Sequence, residues 1–475
     1  MPVTAQSLPD PAALESQLQQ ALRSWGDVNT AKGLLTDLVL FHDAHRGRAA
    51  TPRQANNQVL QTALTQLRLN TPAAADLIER RFLDGWPVDR VANRLNYAES
   101  TVLRHQREAI AALAAVVWRL ETAARQARTN TIAARIDAPG DAALVGVDEQ
   151  IDTLAAVAGQ IAPPWIISIE GIGGIGKTAL AAALMRRMGQ DLGFDDFAWA
   201  SAQPAILDPR GTIRATDRPA LSSAALVIAL LQQLMPDAAA GVLSMADQAL
   251  ALLKSRLKQA PHLVVIDNLE TVADLEALLP TLHMLSNPTR FILTTRKRLI
   301  GERNIYLYPV PELTLPFACA LVRQTAAASN AADLAAATDA ELEPLYATVG
   351  GNPLALLLAV GQIQLHGIAR VIDDLRAARG ASVENLYTFI YRRAWDHLSA
   401  VSRQVLLAMA LVNARGDSLD FITASSGLTA GAVRDALDQL IWLNLVQSSG
   451  DLHQRRYLIH SLTRSFLLEQ VARWQ

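Results

Sequence analysis

Residues 170–180 read EGIGGIGKTAL. Gly171, four intervening residues and then Gly176-Lys177-Thr178 match G-x-x-x-x-G-K-[ST] in full. Gly173, Gly174 and Gly176 let the backbone turn its N–H groups inward around phosphate, and a helix opening at Lys177 aims its positive end the same way. Lys177 is the mobile cation for the β- and γ-phosphates, and the Thr178 hydroxyl is a Mg2+ ligand. Ile175 and Ala179 complete the expected nucleotide contacts. A Gly-rich turn without a ligand is the alternative. Against it stand the apolar PPWIISIE before the loop and the apolar helix pattern after it, the strand–loop–helix context that the motif requires.

Further strands are expected at FDDFAWASAQ (194–203), HLVVIDNLE (262–270), RFILTTR (290–296) and IYLYPVPEL (305–313). Alternating with helical segments, they predict an α/β domain with a parallel sheet covered on both faces. Asp267 ends an apolar strand, where an acid would hold Mg2+ through water. Glu270 is either the acid that polarises an attacking water or a solvated residue capping the next helix. Arg296, at the end of Thr294-Thr295-Arg296, either meets the γ-phosphate or faces solvent. Lys177, Asp267, Glu270 and Arg296 are therefore the candidate catalytic set. The segment 205–222 lacks periodicity and reads as an exposed insertion.

Helical periodicity resumes from Pro316 to about Arg379, interrupted by VGGNPLAL (349–356). Two helices are expected over 384–412. Residues 418–470 read as helix, helix, hairpin, helix, with the hairpin LVQSSGDLHQRRYLI turning at Gly450-Asp451, the order of a winged helix. Upstream, Trp25–Arg128 is helical throughout. Within it a helix ending at Asp84-Gly85, one over Val88–Leu95, the turn Asn96-Tyr97-Ala98 and a helix from Glu99 form a helix-turn-helix. The expected domains are a lead-in 1–24, a helical domain 25–128 with its helix-turn-helix at 76–113, and a linker 129–143. A P-loop domain 144–313, a helical subdomain 314–383 and a winged helix 384–475 follow.

The 475 residues are 51% hydrophobic and carry a net charge of −2, so no global basic field grips nucleic acid. The single cysteine, Cys319, excludes an intrachain disulfide framework and reads as core filler in a reducing compartment. The most apolar run, LVIALLQQLM (226–235), is broken by Gln232 and Gln233, well short of the ~20 apolar residues of a membrane span. The N-terminal MPVTAQSLPDPA lacks the basic and apolar regions of a signal peptide. No membrane contact and a cytoplasmic location are expected.

The order Walker A loop, IDNLE, FILTTR, GGNPLAL, winged helix resembles the NB-ARC family of STAND P-loop ATPases over about residues 140–470. The resemblance implies an ATP/ADP site with Mg2+ and slow hydrolysis. Val145-Gly146 would touch the adenine, although Val147 stands where the family has arginine. Pro353 would pack on the base. His460 would bond the β-phosphate of ADP, within Ile459-His460-Ser461 where the family has Met-His-Asp. ADP then locks the switch and ATP releases it, with self-assembly in the ATP state. The repeat array usual in the family after the winged helix is not seen before Trp474-Gln475, so a partner sensor or a missing C-terminal sensor is expected.

Residues 76–113 resemble the promoter-reading domain of sigma factors. Ser100, Thr101, Arg104 and Arg107 are the implied DNA contacts, with Arg90 and Arg94 on phosphates, although Ala98 replaces the usual capping serine. Nine arginines against seven acids over 76–128 leave a surplus of two, a weak electrostatic footprint. Docking to protein is the alternative. The expected function is a nucleotide-gated regulator of transcription or assembly. A defence or death-type signalling protein that recruits a protein partner is the alternative. A kinase or motor is disfavoured, because no substrate motif accompanies the loop.

Overall fold

The computed structural model describes residues 10–26, 34–46, 51–136, 144–201, 205–207, 213–215, 222–239, 246–269, 272, 275–376, 386, 391, 393–396, 398–413, 416–443, 445–450, 455–459, 463–464 and 467. The chain divides into two compact units, one of residues 1–135 with 186–195, the other of 136–185 with 196–475.

The first unit is helical: α1 Pro11–Arg23, α2 Val39–Arg46, α3 Pro52–Asn70, α4 Pro72–Ile78, α5 Val88–Leu95 and α6 Glu99–Arg135. Prolines open α1, α3 and α4 at positions that need no N–H. Thr51 and Gln54 form a reciprocal capping box on α3. After α4 the chain widens into a π turn over Glu79–Leu83. Asn96 ends α5 in the left-handed region at φ 57°, a conformation asparagine tolerates. Leu14, Leu18, Leu60, Ile78, Val91, Val102, Leu113 and Val117 share one core. The fully buried Glu121 carboxylate accepts from the Val39 and Leu40 N–H groups at the start of α2 and from Arg125 Nε at 2.6 Å.

α6 runs on through 129–135, which composition marked as linker. No glycine or proline stands before Pro139 to stop it, and Ile132 is buried. Arg128 donates to the carbonyls of Gly189, Asp191 and Phe194 at 3.0, 3.2 and 2.7 Å, within the same unit.

The second unit opens with α7 Asp148–Ala158, followed by β1 Ile166–Glu170, α8 Lys177–Gly189, whose residues from Arg186 on are counted with the first unit, and β2 Asp196–Ser201. The insertion carries a short antiparallel pair, β3 Ala205–Leu207 with β4 Ile213–Ala215. Then come α9 Ser223–Leu234, α10 Pro236–Ala239, α11 Ala246–Gln259, β5 His262–Asp267, α12 Leu275–Leu285, β6 Arg290–Thr295 and β7 Ile305–Pro309. The five long strands form one parallel sheet in the order β2-β5-β6-β1-β7. β1, β5 and β6 are buried along their whole length, which is why their sequences run apolar without alternation. The register sets Ser201 beside Asp267 and Glu170 beside Thr295, so the polar strand ends gather at the carboxyl edge, where open α/β sheets hold ligands. At the opposite edge the Arg290 guanidinium binds the carbonyls of Gln160, Ala162 and Pro164 and lies 4.7 Å from the Trp165 ring. Burial pushes its pKa down to about 10, so it stays cationic at neutral pH.

Nine helices among the described residues continue the chain: α13 Leu315–Ala328, α14 Ala332–Ala335, α15 Asp339–Val349, α16 Pro353–His366, α17 Ile368–Arg376, α18 Arg393–Asp396, α19 Ala400–Ala408, α20 Leu419–Ser426 and α21 Ala430–Trp442. β8 Gln447–Gly450 pairs antiparallel with β9 Arg455–Leu458. Cys319 lies buried in α13, and one apolar cluster joins Leu313, Val322, Leu356, Val405 and Leu437 through to Leu467. No helix among the described residues is long and apolar enough to cross a membrane.

Candidate nucleotide site

The glycine loop leaves β1 and enters α8. Gly174 and Gly176 adopt φ 78° and 102°, open to glycine at little cost. A Cβ on Gly174 would sit 2.6 Å from the Leu354 Cβ. The buried Lys177 Nζ donates to the carbonyls of Gly171 and Ile172 at 2.8 and 2.9 Å. Its charge is thus folded back over the loop, at the place where a phosphate would receive it.

Asp267 is fully buried at the end of β5, and both carboxylate oxygens are engaged. Oδ1 accepts from Thr178 Oγ1 at 2.7 Å and Thr294 Oγ1 at 2.6 Å. Oδ2 accepts from Ser201 Oγ at 3.1 Å and Asn268 Nδ2 at 2.8 Å. Four donors thus satisfy the carboxylate in a dry setting. Asn268 follows Asp267 directly and donates to it through its amide. Here a carboxylate would face Asp267 at hydrogen-bond range, whereas the amide donates. The Thr178 hydroxyl and the Asp267 carboxylate are hard oxygen donors of the kind Mg2+ takes, so the residues fit a nucleotide-bound magnesium ion.

Arg296 follows β6 at this edge and is half-buried. The neighbouring Thr295 accepts the Lys297 N–H at 3.0 Å and, through its carbonyl, the Gly171 N–H at 3.3 Å. Glu270 and His460 lie outside the described residues. Glu170, the last residue of β1, is buried and accepts from Ser168 Oγ at 3.0 Å and Leu299 N–H at 2.9 Å. Burial pushes its carboxyl above the ordinary 4.5, against the pull of those hydrogen bonds and of Arg298.

The start of α16 closes over the loop from the helical side. Asn352 is fully buried, and its Oδ1 caps the helix by accepting from Ala355 N–H. Its Nδ2 donates to Gly173 O at 3.2 Å, and Leu354 N–H donates to Gly174 O at 3.2 Å. Pro353 Cγ lies 4.0 Å from where a Cβ on Gly176 would be. Just before it, Gly351 packs on the Leu313 backbone, where a Cβ would fall 2.0 Å from the carbonyl oxygen. On another side, Gly146 at φ 68° faces the half-exposed Phe317 ring, and a Cβ there would overlap it at 2.4 Å. Val145-Gly146 therefore adjoins α13. The loop, Asp267 and Pro353 lie together. Ser201 and Asn352, which the sequence did not single out, adjoin them. Only Asn352 carried a local signal, as an asparagine preceding a helix-opening proline.

In the first unit, Ser100, Arg104 and Arg107 lie exposed on α6 and Thr101 is half-buried. Arg104 faces Glu108 at 3.9 Å, and Arg107 Nε reaches its own helix at Leu103 O, 3.4 Å away. Arg90 lies over the Trp86 ring at 4.2 Å, while Arg94 is exposed.

The parallel sheet, the glycine loop after β1 and the buried aspartate ending β5 are the arrangement of a P-loop nucleotide-binding fold. No protein-family model matches the chain, and no curated protein matches it. Among solved structures, Drosophila ORC bound to DNA is similar at 13% identity over 72% of this chain and 91% of that one, with TM-score 0.33. A Signal Transduction ATPase with Numerous Domains protein carrying a tetratricopeptide repeat sensor, from Pyrococcus horikoshii, is similar at 16% identity over 69% of this chain and 43% of that one, with TM-score 0.30. C. elegans PCH-2 is similar at 13% identity over 65% and 73%, with TM-score 0.24. These likenesses are remote, and the case for the site stands on its residues.

Proposed function

We propose that the protein is a nucleotide-gated switch of the STAND, NB-ARC type, locked with ADP and released with ATP and Mg2+. The supporting observation is the bond from Asn352 to Gly173, joining the phosphate loop to a helix 179 residues downstream. A site that only consumed ATP would gain nothing from such a reach, whereas a latch requires a distant element whose packing depends on the ligand. In this reading Lys177 meets the β- and γ-phosphates, and Thr178 and Asp267 serve Mg2+. Arg296 senses the third phosphate, Val145, Gly146 and Pro353 border the base, and His460 holds the β-phosphate of ADP. Hydrolysis, with Glu270 polarising water, is slow and resets the switch.

The output arm is the helix-turn-helix of residues 76–113, reading DNA through Ser100, Thr101, Arg104 and Arg107. A second reading, docking of a protein partner in defence-type signalling, is favoured by the exposure of Leu95, Tyr97 and Leu103 beside those arginines.

The mass in solution with Mg-ADP, and with Mg2+ and a slowly hydrolysed ATP analogue, tests the switch. A monomer with the first and a larger species with the second are expected, and His460→Ala should assemble without the analogue. Equal masses in both states, with ADP affinity unchanged in His460→Ala, would refute it. Wild type and an Arg104→Ala/Arg107→Ala variant, titrated with DNA at low salt, separate the two output readings.

A further inference from the structure

The segment after Arg296 is held from two sides. On one, Leu299 N–H is bound by the buried Glu170 carboxylate, which immediately precedes the phosphate loop. On the other, the end of α21 takes hold of the same segment. Lys297 Nζ lies 4.5 Å from the centre of the Trp442 ring, and the Arg298 N–H donates to the Trp442 carbonyl at 2.6 Å. Two consecutive residues next to Arg296 are thus engaged by one residue 145 positions downstream, by an ammonium on an aromatic face and by a backbone hydrogen bond.

We infer that Trp442 is a positioning residue for Arg296, coupling occupancy of the γ-phosphate site to the seating of α21. The inference rests on the proposed switch and adds a contact independent of His460. Drawing Arg296 toward a third phosphate displaces Lys297 and Arg298, its immediate neighbours, and so loosens both holds on Trp442. Glu170 anchors the far end of the segment, so the displacement is taken up at the Trp442 side. By reciprocity of linked equilibria, a contact that the triphosphate weakens in turn weakens triphosphate binding by the same factor, so its loss raises triphosphate preference. The contact therefore favours the diphosphate form.

Trp442 is 37% exposed, so its ring can be removed without opening a core cavity, and the backbone bond through its carbonyl survives substitution. The test is the ratio of ADP to ATPγS affinity, with Mg2+, in wild type and in Trp442→Ala, Trp442→Phe, Lys297→Met and the Lys297→Met/Trp442→Ala double variant. Trp442→Ala and Lys297→Met should each move the ratio toward the triphosphate by about two- to fivefold, the effect of one half-exposed cation–π pair. The double variant should go no further than either single one, and Trp442→Phe should restore the wild-type ratio. An unchanged ratio, or both affinities falling in proportion as for mere structural damage, would overturn the inference. Wild type binding neither nucleotide would instead overturn the proposed function, because the ratio would have nothing to report.

Discussion

The carboxyl edge of the sheet and the outer face of α6 carry the same kinds of residue in opposite settings. At the sheet edge, Ser201, Thr178, Thr294 and Asn268 converge on the fully buried Asp267 from separate elements. On α6, Ser100, Arg104 and Arg107 are exposed, and the contacts of the two arginines given above are to their own helix. The first arrangement is fixed before any ligand arrives, and its geometry argues for a chemistry. The second is a surface whose partner is chosen by what docks there. The same contrast explains why the nucleotide reading has a definite pose and the output reading has two candidates.

The contrast is broken most directly at its closure. Gly351→Ala places a methyl against the Leu313 carbonyl and should destabilise the protein by at least about 3 kcal/mol, read by urea unfolding. A shift under ~1 kcal/mol would mean that Gly351 does not pack on the Leu313 backbone this closely. Next, Lys177→Ala should cost about 100-fold in ADP affinity by calorimetry, the worth of charge-assisted bonds to phosphate, with the protein still folded.

Glu170→Gln probes the strand end next to the loop. The carboxyl's folded value lies above the ordinary 4.5, so its protonated form is favoured in the fold. The burial penalty is absent below pH 4.5 and grows as pH rises through the folded value. Glutamine still accepts from Leu299 and Ser168 but carries no charge. Stability of the variant relative to wild type should therefore increase as pH rises above 4.5, and a constant difference would assign the shift elsewhere. The smallest effect is expected on α6: Arg104→Ala and Arg107→Ala should stay within about 0.5 kcal/mol of wild type. If DNA is the partner, each should lower the salt dependence of binding by about one charge.

What the sequence made legible follows the same division. The loop, the strand ending at Asp267 and the helix opening at Pro353 are local patterns, with all their signals within a few residues. Ser201 reaches Asp267 only because β2 pairs in register with β5, and Phe317 meets Gly146 only because α13 passes it. Those facts belong to the packing, not to any short stretch. The 37-residue length of α6 was hidden for the opposite reason: a polar run suggested a linker, although nothing in it before Pro139 breaks a helix. The Asn268 amide bond to Asp267 likewise depends on the side chain's placement, which no short motif announces.

The central claim is that the loop is a latch set by nucleotide. The most direct measurement is the nucleotide released on denaturing the purified full chain, quantified against protein and compared with Lys177→Ala. The account predicts close to one ADP per wild-type chain in a monomeric preparation and none in the variant. Nucleotide-free wild type that also fails to bind added ADP with Mg2+ would contradict it.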